Sequence, residues 1–320
     1  MYVRTLLAFA LAARLPATAQ THHTAAHHSV PGDAAAIRNI FWQPNDLHQG
    51  SPVFITVELD KPATRVRGNL VNKSFRFFHE VRNMKMWHAL AGIDLEATPG
   101  QYGLDVTATL SSGHIAKKST QITVAPGDFK TGDINLPENY VNPNDAEQKQ
   151  IAADDVLKKR AYGHSAPHVL WSGDFVKPVS AAPTPSFGES RILNEEKTSL
   201  HTGTDYPVKE STPVLVANSG IVVLTRDLFY EGNMIIVDHG KGLFTVYLHL
   251  SRTDVKEGDK LKKGDEIGLS GASGRVTGPH LHFAVRWQGI WLDPVQVLAL
   301  TLPRTPAAPP GHKPAPRRKR

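Results

Sequence analysis

Four histidines and one aspartate between residues 201 and 282 are side chains suited to binding a metal or moving a proton. They lie in three short segments: HTGTDY contains His201 and Asp205, YLHL contains His249, and GPHLHF contains His280 and His282. In a strand, side chains two residues apart point to the same side, so His280 and His282 should face one space. Two imidazoles on one side of a strand can bind a metal ion together.

The spacing of His201 and Asp205 fits either one turn of a helix or a loop that enters a strand. Gly203 disfavours the helix, and Pro207 pushes Tyr206 towards an extended conformation, so we expect a loop that runs into a strand. A nitrogen and a carboxylate oxygen from this segment, with one more imidazole, would complete a three-ligand zinc site. The fourth position would be open to water, as in catalytic zinc sites.

Several other kinds of chemistry are excluded by what the sequence lacks. The chain has no cysteine, which rules out disulfides, thiolate catalysis and zinc sites built from sulfur. It contains no GxxxxGK[ST] phosphate loop and no HExxH motif, and no local pattern suggests a Ser-His-Asp triad. The histidines that do not bind metal suit proton transfer and stabilisation of an oxyanion.

The elements that must position these side chains are predicted to be mostly β-strands. Residues 188–302 combine short apolar runs with frequent glycines, which is typical of strands joined by tight turns. Residues 37–125 alternate with a period of two, clearly at Val53–Leu59 and Tyr102–Leu110, and turn signals separate the runs. We therefore expect an N-terminal immunoglobulin-like β-sandwich followed by a C-terminal antiparallel β-sheet domain.

A Pro-rich connector, residues 126–187, joins the two predicted domains. It contains one predicted helix, Asn144–Tyr162, with Asn144 as the N-cap. This segment could lie over either domain or block a cleft, and the sequence does not decide between these arrangements. Residues 303–320 are predicted to be a disordered, Pro-rich basic tail.

Residues 1–19 have the pattern of an export signal. Arg4 precedes an apolar stretch, Thr5–Ala13, and small residues stand at Ala17 and Ala19. No later segment approaches the length of a membrane span, so we expect a protein outside the cytoplasm. The formal charge of +6 and an isoelectric point of about 9.4 suggest an anionic partner, and export favours a wall polymer over nucleic acid.

The chemistry-bearing segments, taken together, resemble the lysostaphin-type or LytM-like zinc metalloendopeptidases, which cut peptides of peptidoglycan. In chain order the matching motifs are HTGTDY from His201, GNMIIV from Gly232, DHG from Asp238, YLHL from Tyr247, VKEGDKLKKGDEIGLSGASGR from Val255 and GPHLHF from Gly278. The resemblance covers about a third of the chain.

Carried over to matching positions, the resemblance implies that His201, Asp205 and His282 bind zinc. It implies that His249 and His280 are catalytic histidines near the water and the oxyanion. The implied fold is a mostly antiparallel sheet whose loops wall a narrow groove, suited to an extended peptide. The implied reaction is zinc-dependent hydrolysis of peptidoglycan cross-links or stem peptides in the periplasm or cell envelope, and the Gram-negative-type layout favours the bond from D-Ala to diaminopimelate.

Two residues depart from the pattern or have no role in it. His239 has no matching function and is interpreted as a turn residue. Ala284 stands where many relatives have an acidic residue, and it could face the cleft and change substrate contacts.

Two other functions remain open at the level of sequence. The first is a non-catalytic regulator of wall amidases, although such degenerate relatives usually lose metal ligands and this chain has the full set. The second is a metallopeptidase of secreted proteins, which the same metal chemistry would allow. The sequence does not indicate the scissile bond or the oligomeric state.

Overall fold

The computed structural model describes residues 36–80 and 83–304, and strands dominate that part of the chain. The predicted signal peptide and all but the first two residues of the predicted tail lie outside it. The strands before residue 135 are β1 (Ile37–Gln43), β2 (Leu47–His48), β3 (Pro52–Leu59), β4 (Ala63–Leu70), β5 (Lys73–Arg76), β6 (Phe78–Glu80), β7 (Asn83–Gly92), β8 (Gly100–Leu110), β9 (Ile115–Ala125) and β10 (Thr131–Ile134).

Nine of these strands form two sheets, with the orders β1-β3-β7-β6 and β2-β9-β8-β4-β5. The period-two pattern explains them, because alternate residues of β8, from Leu104 to Leu110, are buried while their neighbours are not. Apolar residues from both sheets belong to one hydrophobic core. The predicted immunoglobulin class of this pair of sheets stays a prediction.

The connector contains two helices rather than the single predicted one, α1 (Glu138–Val141) and α2 (Asp145–Tyr162). α2 begins at the predicted N-cap. The Asn144 side chain accepts hydrogen bonds from the backbone N–H groups of Ala146 and Glu147, and the Glu147 carboxylate accepts one from the Asn144 N–H. The prediction of one helix was wrong because α1, with four residues, is too short to show a helical period.

The C-terminal part is built from strands and one short helix. The elements are β11 (Ser190–Leu193), β12 (Lys197–Leu200), β13 (Thr204–Tyr206), β14 (Pro213–Leu215), β15 (Gly220–Leu228), β16 (Gly232–Gly240), β17 (Leu243–Thr253), β18 (Lys260–Leu261), β19 (Glu266–Ser270), β20 (Leu281–Trp287), β21 (Ile290–Leu292) and α3 (Pro294–Ala299).

A nine-stranded sheet, which we call the C-terminal sheet, has the central order β13-β20-β17-β16-β15-β18. β14 and β19 pair with each other, β19 also pairs with β17, and β21 pairs with β20. Every pairing in this sheet is antiparallel, which confirms the predicted arrangement. A separate three-stranded sheet joins β10 to β11 in parallel and β11 to β12 in antiparallel orientation.

The two faces of the C-terminal sheet are covered by different parts of the chain. Along β16, Ile235 and Val237 belong to the core shared with the N-terminal sheets, whereas Met234 and Ile236 belong to a second cluster with Ala161 of α2. Strand alternation explains this division. The connector therefore lies over the C-terminal sheet. Within the described residues, no helix is long and apolar enough to cross a membrane.

Candidate metal centre

The edge of the C-terminal sheet brings Asp205 and His282 together as paired residues. β13 is antiparallel to β20, and in that register Asp205 lies opposite His282. On its other side, β20 places His282 opposite Leu248 of β17. Directly opposed residues in an antiparallel pair have neighbouring side chains, so the strand register itself positions two of the proposed ligands.

Three potential ligand atoms converge at this edge. His201 Nε2 lies 2.9 Å from His282 Nδ1 and 3.2 Å from Asp205 Oδ1. His282 Nδ1 lies 3.1 Å from the same carboxylate oxygen. All three side chains offer atoms within 4.8 Å of one another. The loop that carries His201 runs into β13, as predicted.

This cluster fits a zinc ion by its donor chemistry. Two imidazoles and one carboxylate are ligands that zinc accepts, and three protein ligands leave a position for water. At His201 the second ring nitrogen, Nδ1, lies 2.7 Å from the Ser186 carbonyl oxygen. A carbonyl only accepts hydrogen bonds, so Nδ1 carries the proton and Nε2 has the free lone pair.

Gly203 leaves the space that the His282 ring occupies. A Cβ at this position would lie 2.4 Å from His282 Nε2 and 2.7 Å from the Phe283 carbonyl oxygen. A side chain would therefore displace the ring or the strand. The glycine of the HTGTDY motif is explained by this close approach.

His249 and His280 stand beside the cluster as a second pair of imidazoles. Their ring centroids are 5.0 Å apart, and the His249 ring is 6.0 Å from that of His282. His249 Nδ1 lies 2.9 Å from the Ser273 carbonyl oxygen, and His280 Nδ1 lies 2.9 Å from that of Gly278. Both rings therefore donate from Nδ1 and present Nε2 with a free lone pair.

The backbone of His249 has an unusual conformation that accompanies this orientation. Its φ angle is +63°, a left-handed value that is uncommon for a residue with a side chain. Its N–H donates to the Glu231 carbonyl oxygen at 3.0 Å, and the pairing register between β16 and β17 shifts nearby. Such strain is often found at functional sites.

Burial and mutual contacts set the charge states in the cluster. Burial alone would raise the pKa of Asp205, but hydrogen bonds and charge interactions with His201 and His282 lower it strongly. Burial lowers the pKa of His282 to about 4. Burial also lowers the pKa of His249, and charge interactions with His282 and His280 lower it further. The shifts favour an ionised Asp205 carboxylate and neutral His282 and His249 rings, and a metal ligand must be an ionised carboxylate or a neutral imidazole.

Arg191 supports the carboxylate from behind, a role that the sequence did not indicate. Its Nη2 donates to Asp205 Oδ2 at 2.8 Å, and its Nε donates to Glu189 Oε2 at 2.8 Å. Asp205 thus keeps Oδ1 towards the two histidines. Because Arg191 lies in β11, outside the recognised motifs, no sequence pattern pointed to it.

A pocket of about 260 Å³ with both polar and apolar lining residues surrounds the centre. All five predicted site residues line it, and Leu136 from the connector contributes to the wall. The pocket also contains Arg275, which belongs to the recognised GASGR motif but had no predicted role. The groove expected from the resemblance is thus present as a pocket with walls from the sheet, its loops and the connector.

His239 and Ala284 occupy buried positions that the sequence did not indicate. His239 is not a turn residue: it is fully buried in β16, with its ring nitrogens 2.8 Å from the Ser219 carbonyl oxygen and the Thr245 hydroxyl. Ala284 is buried in the cluster beneath α2. It points to the same side of β20 as His282, but it does not line the metal pocket.

Comparison with known proteins finds sequence similarity in the segment that carries this site. Residues 199–294 match the model of Peptidase family M23. A peptidoglycan DD-endopeptidase from Vibrio cholerae, ShyA, is 43% identical over 109 residues, covering 34% of this chain and 25% of the relative. The DD-carboxypeptidase/endopeptidase Mpg from Neisseria meningitidis is 39% identical over 98 residues, covering 31% of this chain and 23% of Mpg.

The similarity of structure extends over more of the chain. A crystal structure of a peptidase M23 from Pseudomonas aeruginosa has a TM-score of 0.60 and 26% sequence identity, covering 79% of this chain and 95% of the other. By contrast, the present chain spans only about a quarter of the length of the curated relatives described above.

Proposed function

Residues 199–294 form a peptidase M23 domain, and we propose that the protein is a zinc-dependent endopeptidase that hydrolyses peptide bonds in peptidoglycan. The observation that carries the proposal is the convergence of His201, Asp205 and His282, with two further imidazoles beside them. A structural zinc site does not need such additional histidines, whereas hydrolysis needs groups that transfer protons.

His201 Nε2, Asp205 Oδ1 and His282 Nδ1 would hold the ion, with Arg191 fixing the carboxylate. When bound, zinc supplies a Lewis acid that polarises the scissile carbonyl and increases the acidity of the attacking water. The Nε2 lone pairs of His249 and His280 are directed away from their carbonyl partners. One can accept the proton of the attacking water, and a protonated ring can stabilise the oxyanion or donate to the leaving amine.

A peptide of peptidoglycan is the substrate that best fits the combined observations. Curated relatives with the same domain are named peptidoglycan DD-endopeptidases, and the basic charge of the chain suits an anionic wall polymer. We propose the bond from D-Ala to diaminopimelate as the cleavage site. The pattern of residues 1–19 supports export, so the proposed location is the periplasm or cell envelope.

Digestion of purified peptidoglycan tests this function. The full chain is incubated with peptidoglycan, and released fragments are identified by mass spectrometry beside the same reaction with His282→Ala. The proposal expects monomeric muropeptides from cross-linked dimers, cut between D-Ala and diaminopimelate, and no release by the variant. Cleavage of protein substrates with intact peptidoglycan would instead support a peptidase of secreted proteins.

A further inference from the structure

Arg275 is a cation held in place at the boundary between the metal pocket and a second pocket. Its backbone N–H donates to the Tyr230 carbonyl oxygen at 2.8 Å, and its guanidinium carbon lies 4.5 Å from the centre of the Tyr230 ring. The second pocket, of about 430 Å³, is lined by Arg275 together with Tyr140 and Asn142 of the connector. The Tyr230 ring therefore packs against the guanidinium at the boundary of the two pockets.

Arg275 has no carboxylate partner at ion-pair distance among the described residues. Arg191, in the same pocket, is paired with Glu189 and Asp205. Glu231 is paired with Lys158. Among the residues that the structure describes, none places a carboxylate oxygen within 4.0 Å of the Arg275 guanidinium. Its side chain contacts the Tyr230 ring and makes a long hydrogen bond of 3.5 Å to the Ser199 hydroxyl.

A partly buried guanidinium without an anion is energetically unfavourable. Burial lowers the pKa of Arg275, as expected when a cation is removed from water, although Tyr230 and Glu231, which lies beyond ion-pair distance, oppose the shift. The planar fork of a guanidinium matches the two oxygens of a carboxylate, and stacking on an aromatic ring leaves the fork edge free for this contact. The position thus has the properties of a receptor for a carboxylate brought by a ligand.

We infer that Arg275 binds a free carboxylate of the substrate peptide and thereby selects bonds that have such a group nearby. The inference rests on the proposed function, because it concerns the substrate of the same site. In a bond from D-Ala to diaminopimelate, the amino-side residue carries a free carboxylate on the carbon next to the scissile nitrogen. That carboxylate would enter the pocket together with the scissile bond.

Two synthetic cross-linked peptides test the inference, identical except that this carboxylate is free in one and a carboxamide in the other. The variants are Arg275→Gln and Arg275→Lys. Arg226→Gln is the matched control, because Arg226 is an exposed arginine of β15 paired with Glu257. We expect the wild type and the control to prefer the free carboxylate by about 10- to 100-fold in kcat/KM.

Arg275→Gln should lose this preference by slowing cleavage of the free acid while leaving the amide unaffected. Arg275→Lys should retain part of the preference, since it keeps the charge but not the fork. If Arg275→Gln slows both peptides equally, or neither, the inference is wrong. Thermal unfolding of each variant ensures that the rates are compared between folded proteins.

A binding measurement separates failure of the inference from failure of the proposed function. Calorimetry with the free-acid peptide uses zinc-loaded His280→Ala protein, in which the peptide should stay intact, with and without Arg275→Gln. If the wild type cleaves neither peptide but binding depends on Arg275, the endopeptidase function is wrong and the carboxylate site stands. If binding is the same with and without Arg275→Gln, the carboxylate site is wrong.

Discussion

Backbone carbonyls fix the protonation pattern of the metal pocket at the scale of single residues. His201, His249 and His280 each direct Nδ1 at a carbonyl oxygen, those of Ser186, Ser273 and Gly278. Each ring therefore presents Nε2 to the pocket. His282 differs, because its Nδ1 faces Asp205 and His201. The proposed division between ligands and proton-transfer groups follows the distances to Asp205 Oδ1, which are 3.1 Å for His282 Nδ1, 3.2 Å for His201 Nε2 and 3.6 Å for His280 Nε2.

The first prediction separates a ligand from a catalytic histidine. His282→Ala removes one of three ligand atoms and should lose both zinc and activity. His280→Ala should keep one zinc per chain, because the ligand set is intact, and should lose activity by about 10²- to 10⁴-fold. Elemental analysis of purified protein and peptidoglycan turnover measure the two effects. Full zinc and full turnover in the His282 variant would disprove the ligand assignment, whereas an active His280 variant would remove only that residue's catalytic role.

The second prediction concerns Arg191, which orients Asp205 without facing the ligand atoms. Arg191→Met should weaken zinc binding by about 10- to 100-fold, the usual effect of losing an outer partner of a ligand. Removing the positive charge of Arg191 should by itself strengthen binding of the zinc cation. A net loss of zinc affinity would therefore show that the orientation of Asp205 has the larger effect. Competition with a chelator measures the dissociation constant, and Arg226→Met is the control. Unchanged affinity would mean that Asp205 needs no such support.

The third prediction follows from the burial of His239. Burial lowers its pKa to about 4, although the Ser219 carbonyl opposes the shift. The unfolded chain, with a pKa near 6.5, takes up the proton first as the pH falls. The contribution of neutral His239 to stability is therefore complete above about pH 6.5 and is lost progressively towards pH 4.

Urea unfolding measures this effect. Between pH 7 and pH 5, the wild type should lose about 2 kcal/mol more of its unfolding free energy than His239→Asn, which cannot titrate. The variant is expected to be less stable at pH 7, because it changes the contacts with Ser219 and Thr245. Parallel pH curves for the two proteins would show that His239 is protonated in the folded state as readily as in the unfolded state.

Residue types and spacing singled out the five side chains that line the metal pocket, but not their orientation. His280 and His282 could be assigned to one side from strand alternation, and both approach Asp205, His280 Nε2 at 3.6 Å. His249 has a left-handed backbone beside a register shift between β16 and β17, and neither feature has a signal in YLHL. His239 was misinterpreted because a histidine beside glycines resembles a turn residue until tertiary contacts bury it.

At the scale of elements, α2 is attached to the C-terminal sheet partly by polar contacts next to the metal pocket. Asp154 is buried, and its Oδ2 accepts a hydrogen bond from the Phe229 N–H at 2.8 Å. Lys158 pairs with Glu231, whose carbonyl receives the His249 N–H. The helix therefore supports the turn between β15 and β16, which in turn holds a proposed catalytic histidine.

The fourth prediction tests this attachment. Asp154→Ala should lower the unfolding free energy by about 1–3 kcal/mol, because it removes a charge-assisted hydrogen bond to a partly buried amide. Asp155→Ala is the neighbouring control, with an exposed side chain that pairs with Lys158, and should change stability by less than about 0.5 kcal/mol. Denaturant unfolding gives both values, and hydrogen exchange of the Phe229 amide reports local opening. Equal losses of stability in the two variants would argue against a specific role of the Asp154–Phe229 hydrogen bond in attaching α2.

Periodic or capped elements were predictable, and short ones were not. β8 shows alternation over its buried half, and α2 has a capping box, so local sequence indicates both. β10 has four residues and is paired with β11, which is distant in sequence. Its partner is determined by tertiary packing rather than by local preference. The same reason explains why the sequence did not decide where the connector lies.

At the scale of the whole molecule, the N-terminal strands and the C-terminal sheet share one hydrophobic core. The rings of Phe75 and Trp287 meet at 6.0 Å between centroids, and a Cβ on Gly92 would lie 2.3 Å from a methyl carbon of Leu292. The two parts therefore pack closely. Residues far from the pocket can influence the stability of the sheet that carries it.

Metal removal and restoration in the full chain test the central claim most directly. Protein is stripped with a chelator, checked by circular dichroism, assayed on purified peptidoglycan, and assayed again after addition of one equivalent of zinc. The account predicts that stripped protein stays folded, releases no fragments, and recovers activity in proportion to zinc bound. Undiminished release of the same fragments by folded, zinc-free protein would contradict it.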